Sequence, residues 1–369
     1  MNNKVVSSII AAAALTGAAT AGEAVAPVEA SSFSACDTLK SIGKLYKDSD
    51  NPYIQEAKVF GRLQYQAAYV DGDQNSESFS TIRRARVGAK VKFLNYFTAM
   101  TRANVISDSK HKGGLRQSGI RSYDEAKITF DAGKAFGITA FDKATITYGR
   151  DKIEFGEDQH QSSKKIKTVE RSAITNNTRP KNSTGAIINL QKGDWKGALG
   201  VYTTNSNDTN LTDKWDGSQF IYASSTFGLE GGDLILDFIK TTNENEFSYN
   251  WASSAAYRTE IGDWDLALNA VLGDDGDDLF YGFVAQPSKF IIEDKLEVVG
   301  RYAYQGSQGD TGIKPNSRYS RAKKAGETSP LSVTSGDSHH SLYAGLNYYF
   351  CGHNAKIMTG VEYETIDNG

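Results

Sequence analysis

Between Arg84 and Phe93 the chain sets fixed positive charges against small and apolar residues in strict alternation. Arg84, Arg86, Lys90 and Lys92 occupy even positions, with Gly88 among them. Ala85, Val87, Ala89, Val91 and Phe93 occupy odd ones. In an extended strand this spacing puts the cations on one face, successive positions of that face lying roughly 7 Å apart. A row of cations performs no bond chemistry. It can attract, order and pass anions. The loop 151–182 carries a second concentration: Lys164, Lys165, Lys167, Arg171, Arg179 and Lys181 against the single carboxylate Glu170 in its second half. A third lies in 306–336, with Lys314, Arg318, Arg321, Lys323 and Lys324.

Other chemistry is thin. No Ser-His-Asp arrangement has a recognisable motif, so the chain is read as a non-enzyme. Asp274-Asp275-Gly276-Asp277-Asp278 has the oxygen density of a calcium loop, but an external polar hairpin accounts for it better. His339-His340 lacks a spaced third ligand and reads as a solvated strand start. No metal and no cofactor is expected. The formal charge of −3 gives no case for nucleic acid.

The elements that must position these cations follow from periodicity. Val59–Tyr69 alternates apolar odd positions with Arg62, Gln64 and Gln66. The pattern recurs at Ala126, Ile128, Phe130; at Trp195, Gly197, Leu199, Val201; at Trp264, Leu266, Leu268, Ala270; and at Leu342, Ala344, Leu346, Tyr348, Phe350. Period two over such lengths predicts half-buried strands. Fifteen are delimited, at 56–70, 80–93, 95–106, 122–132, 142–150, 183–190, 195–202, 218–227, 233–241, 250–259, 264–273, 278–286, 295–305, 338–350 and 355–365. Their connections alternate too. Leu94-Asn95, Gln191–Asp194, Gly228–Gly232, Glu260–Asp263 and Cys351–Asn354 are short, whereas 107–122, 151–182, 203–217 and 306–336 are long and polar. Short turns on one side and long loops on the other describe a transmembrane barrel. A soluble sandwich leaves that asymmetry unexplained, and a β-helix requires a short repeat that is absent.

The N-terminus fits export to an outer membrane. Lys4, the apolar run Ile9–Leu15 and Ala19-Thr20-Ala21 predict a secretory signal over residues 1–21, cut after Ala21. Residues 22–55 are read as a periplasmic lead-in, with a short helix over Asp37–Tyr46, and 56–369 as the barrel. Bacterial barrels have even strand numbers. The expected fold is therefore an all-β, antiparallel, 16-stranded barrel whose closing strand is missing from this chain. Within it, lipid excludes cations at about 2–4 kcal/mol each near the midplane, so the basic face of 84–92 must line water. The expected anion pathway comprises Arg62, Arg84, Arg86, Lys90, Lys92, Lys127, Arg150, Lys164, Lys165, Lys167 and Arg171. Arg171 is the strongest single candidate on the loop, with Glu170 expected to orient it.

Several stretches resemble the phosphate-selective porin O and P family: Phe60–Gln64 (FGRLQ), Thr81–Lys90 (TIRRARVGAK), Tyr123–Ala126 (YDEA), Thr147–Arg150 through Glu154-Phe155, Glu170-Arg171-Ser172, Leu296–Tyr304 (LEVVGRYAY) and Gly345–Phe350 (GLNYYF). The resemblance spans nearly all of 56–365. It departs from the family in lacking the closing strand and the long N-terminal coiled coil of some members. It implies an outer-membrane homotrimer in contact with lipid, passing small anions such as phosphate or polyphosphate. From the residues alone, a general diffusion porin and a structural or adhesive barrel stay open. So does the state of Cys36 and Cys351. Both fall on the periplasmic side by strand parity, either paired as a disulfide or free.

Overall fold

The computed structural model describes residues 4–14, 34–106, 118–204, 211, 213–215, 217–243, 249–274, 276, 278–309, 313–315 and 335–367. In chain order the strands are β1 (Lys4–Ala14), β2 (Lys44–Lys47), β3 (Ile54–Asp71), β4 (Ser76–Phe93), β5 (Phe97–Ile106), β6 (Ser118–Asp131), β7 (Lys143–Asp151), β8 (Ser183–Lys192) and β9 (Trp195–Thr203). They continue with β10 (Gln219–Leu229), β11 (Gly232–Thr241), β12 (Trp251–Ile261), β13 (Trp264–Asp274), β14 (Leu279–Ile292), β15 (Leu296–Ser307), β16 (Ser338–Tyr349) and β17 (Lys356–Asp367). Four short helices accompany them: α1 (Ala35–Ser41), α2 (Ala132–Phe136), α3 (Glu157–His160) and α4 (Ala173–Thr178). All strands join one antiparallel sheet.

Each of β3–β17 coincides with one of the fifteen segments delimited by alternation. Apolar side chains such as Val59, Leu63, Tyr148, Leu199, Leu342 and Val361 are exposed on the outer face, where lipid, not water, is the solvent that rewards them. The largest boundary difference is β14, which runs on through Pro287 to Ile292. Proline donates no hydrogen bond, and pairing with β15 skips from Ala285↔Tyr302 to Ser288↔Val299 before resuming in the same register. Several short turns rest on backbones with positive φ, at Leu94 (50°), Asn95 (63°), Gly193 (54°) and Gly262 (59°). Consecutive positive φ values suit the right-handed twist of a tight hairpin.

The first and last of the fifteen strands do not pair with each other. The seam expected from the odd count lies between β3 and β17. The segment within it comes from the N-terminus, which the sequence assigned to the export signal. β1 pairs Ala14↔Lys356 through Lys4↔Ile366 on one side and Ala13↔Tyr65 through Ser7↔Asp71 on the other. Its run KVVSSIIAAAA can satisfy two bare edges, and lipid does not tolerate an open sheet edge.

The expected helix over Asp37–Tyr46 is corrected. Helix α1 stops at Ser41, and Lys44–Lys47 is a strand paired with the foot of β3. Gly43 explains the change. Its backbone lies so close to the Val59 carbonyl that a Cβ there would sit 2.0 Å from the oxygen, and Val59 N–H donates to the Gly43 carbonyl at 2.8 Å. Cys36 of α1 is disulfide-bonded to Cys351, the Cα atoms being 5.2 Å apart. A thiol-reactive maleimide should accordingly label neither cysteine in the folded protein until reductant is added; equal labelling without reductant would show the bond to be absent.

Unlike a soluble sheet protein, the chain holds its main apolar core inside the barrel. Ile153, Phe155 and Ile174 of the connection between β7 and β8 pack with wall residues including Ile187, Tyr202, Phe220, Tyr222, Ile239 and Phe280. The loop therefore folds inward and fills the lumen against one stretch of wall.

Candidate anion passage

Arginines of the opposite wall line what space remains. β3 and β4 pair Gln64↔Arg84 and next Tyr65↔Ile82, leaving Arg83 as a bulged residue. A bulge lets two consecutive side chains reach the same side. The Arg83 fork closes on Glu170 of the loop, Nε to Oε1 at 2.6 Å and Nη2 to Oε2 at 3.0 Å. Arg84 donates to Gln64 Oε1 at 2.9 Å. Arg86 donates to Asn104 at 3.0 Å and to Asp124 at 3.1 Å. Arg102 donates to Asp124 at 2.6 Å and lies 3.2 Å from Glu125. Arg62 donates to the hydroxyls of Ser163 and, at 3.1 Å, Ser162. The guanidinium groups thus divide. Arg83, Arg86 and Arg102 sit on carboxylates, whereas Arg62 and Arg84 meet neutral partners among the described residues.

The loop that faces them is fixed by its first half. The Gly156 N–H donates to Asp237 Oδ2 at 2.9 Å, the Glu157 N–H to Asn269 Oδ1 at 3.0 Å, and His160 Nε2 lies 2.9 Å from Asp237. Arg258 of β12 pairs with Glu157 at 2.8 Å. Between loop and arginine wall lies a cavity of about 730 Å³, lined by ten Arg and Lys side chains against the three carboxylates Asp124, Glu125 and Glu154. Burial pushes Lys152 down to about 8 and Arg179 down to about 10, so both loop groups are cationic at neutral pH.

Of the eleven residues expected on the pathway, Arg62, Arg84, Arg86, Lys165 and Arg171 line this cavity. Lys90 and Lys92 share the inner face of β4 but stand nearer its periplasmic end, where Lys92 approaches Glu56 at 3.5 Å. Lys127 is paired with Asp151. Lys164 and Lys167 turn to the wall instead of the passage, Lys164 donating to Asn354 at 2.6 Å and Lys167 pairing with Glu297 at 2.9 Å and Asp265 at 2.5 Å. Arg150 does not line the cavity: it is buried, and it donates to the Tyr123 carbonyl of the neighbouring strand at 2.9 Å. Nor does Glu170 serve to orient Arg171. Glu170 takes the Arg83 fork, while Arg171 donates to the carbonyls of Asp158 (2.7 Å) and Gln161 (3.0 Å) and so holds the loop's own shape.

Arg83, Arg102, Lys152 and Arg258 were missed. Arg83 had a readable signal. Two adjacent arginines cannot both follow an alternating strand without one facing lipid, which itself implies a bulge. His339 and His340 project to opposite faces, His339 meeting Gln305 at 3.0 Å and His340 meeting Tyr302 at 2.8 Å, so they share no ligand. Arg318, Arg321, Lys323 and Lys324, like Asp275 and Asp277, lie outside the described residues.

The model of the phosphate-selective porin O and P family matches residues 58–263, more than half of the chain. The chain belongs to that family. It is an outer-membrane porin, and its strands and inward loop are those of a channel. Among solved structures, the outer membrane channel DcaP of Acinetobacter baumannii shares the porin fold, at a TM-score of 0.51 and 10% identity over 87% of this chain and 100% of that one. Pseudomonas aeruginosa OccK11 aligns at a TM-score of 0.39 and 9% identity, over 99% of this chain and 95% of that one. No curated protein sequence matches the porin.

Proposed function

We propose that this porin conducts small anions, phosphate or polyphosphate among them, past Arg62 and Arg84. The observation that carries the reading is that these two lumenal guanidinium groups, Arg84 buried and Arg62 half-buried, rest on Gln64, Ser162 and Ser163 rather than on carboxylates. A guanidinium on a neutral partner keeps its charge for a passing ion. Its planar fork suits two oxygens of one phosphate. A serine hydroxyl that accepts from Arg62 retains its own proton to donate. The surrounding excess of cations raises the local anion concentration and opposes cations. Because Arg86 and Arg102 are partly neutralised by Asp124, the attraction is graded, and graded sites let an ion leave as well as enter.

In this reading residues 1–21 are the export signal, so β1 holds the place of the closing strand only until the signal is removed; the protein works as a homotrimer in the outer membrane, and no cofactor takes part. The deciding measurement is the zero-current potential of the porin in planar bilayers across a KCl gradient. Its sign should be that of chloride, and added inorganic phosphate should reduce chloride current. A potential of the opposite sign would remove the anion reading and leave a general diffusion porin; absence of channels would leave a structural barrel.

A further inference from the structure

We propose that residues 162–170 of the inward loop are an internal clasp, which ties the barrel's first two strands to its last four across the seam. Arg83 and Arg301 are its positioning residues. The inference does not depend on which ions pass.

On one side of the seam, β3 holds the loop through Arg62 on Ser162 and through Gln64, whose Nε2 donates to the Ser163 carbonyl at 3.2 Å. β4 holds it through the Arg83–Glu170 fork. On the other side each of four strands contributes a bond. Lys167 reaches Ser288 of β14 at 2.7 Å. Arg301 of β15 donates to the Glu170 carbonyl at 2.7 Å and to Thr168 Oγ1 at 3.0 Å. Asn347 of β16 donates to the Lys167 carbonyl at 2.8 Å, and Lys356 of β17 to the Ile166 carbonyl at 2.7 Å. Glu170 is the keystone, since its side chain faces β4 while its carbonyl faces β15.

An independent apolar contact crosses the same line. Val169 is buried with Ala68, Val70 and Phe79 of β3 and β4 and with Tyr343 and Met358 of β16 and β17. β3 and β17 themselves share no ladder. Every other pair of neighbouring wall strands in β3–β17 is contiguous in sequence and joined by a hairpin or loop. Only at the seam must segments from opposite ends of the chain be brought together, at a cost in chain entropy. Buried hydrogen bonds from Arg301 and Lys356 to backbone carbonyls are strong because a charged donor is used. The clasp therefore stabilises the junction from within. The same Ser162 and Ser163 border the passage, so closing the barrel and shaping the constriction are one event.

The test exchanges the keystone charges. Arg83→Glu and Glu170→Arg are made singly and together, and two quantities are read: the temperature at which the folded form is lost in SDS electrophoresis, and single-channel conductance. Each single change should lower that temperature and raise conductance, and the double exchange should restore both toward wild type. Val169→Asn, which alters no charge, should lower the temperature as well. A loop that merely narrows the pore would show altered conductance with wild-type thermal loss in all three single variants, which would overturn the clasp. So would a double exchange that stays as labile as the singles while Val169→Asn matches wild type.

Discussion

Replacing Arg62 and Arg84 together by glutamine is expected to lower anion current in dilute salt by about tenfold, the lower end of what charge focusing in a cleft supplies. Both side chains are intermediate or buried inside the lumen and bonded to neutral groups. Glutamine keeps much of the bulk and the hydrogen bonding while removing two charges whose hydrogen-bond partners are neutral. The effect should shrink in concentrated salt, where screening acts within about 3 Å. Arg86→Gln should behave differently, because Asp124 would lose one of its cations and add a negative field to the passage. Arg84→Lys separates charge from fork: chloride preference should survive, and block by phosphate should weaken. Zero-current potentials and conductance titrations read all of these. Unchanged selectivity in the double variant would mean that other groups govern passage.

The second large effect is on stability. Arg301 and Glu362 are both nearly inaccessible and lie 2.6 Å apart, with Ser341 donating to the same carboxylate at 2.5 Å. Arg301→Met should destabilise the folded barrel by about 3–5 kcal/mol, because it strands a buried charge. Adding Glu362→Gln should recover a good part of that loss, since no ion then remains without its partner. Urea titration in lipid vesicles, followed by tryptophan fluorescence, gives both values. If the double variant is no more stable than Arg301→Met, the loss comes from the loop contacts of Arg301 and not from the stranded carboxylate.

The wall was legible in the sequence because lipid on one side and water on the other force period two, and fifteen strands repeat it. Arg84 and Arg86 were legible for the same reason. Arg83 was hidden by a bulge, which breaks the alternation at one residue. Arg150 stands apart from the cavity although its charge suggested the passage, because its guanidinium is engaged by the Tyr123 carbonyl of the adjacent strand. The loop was least readable. Its lysines advertise an anion site, yet Lys167 is matched by Glu297 and Asp265 from distant strands, and no local pattern announces partners so far along the chain. Ile153, Phe155 and Ile174, which pin the loop to the wall, follow no period at all. Gly43 turned an expected helix into a hairpin through contact with Val59, a tertiary effect that helical spacing does not carry.

The bond between Cys36 and Cys351 joins positions 315 residues apart, one ahead of the first of the fifteen strands and one ahead of the last. Oxidised before insertion, the polypeptide reaches the membrane as a hoop rather than a thread. The segments that lead into β3 and β17 are then neighbours from the outset, and the search by which distant edges must find each other becomes a local one. A hoop also resists threading: a protease or translocase that draws the chain through a narrow pore from either side would be halted at Cys36 or Cys351 until the bond is reduced.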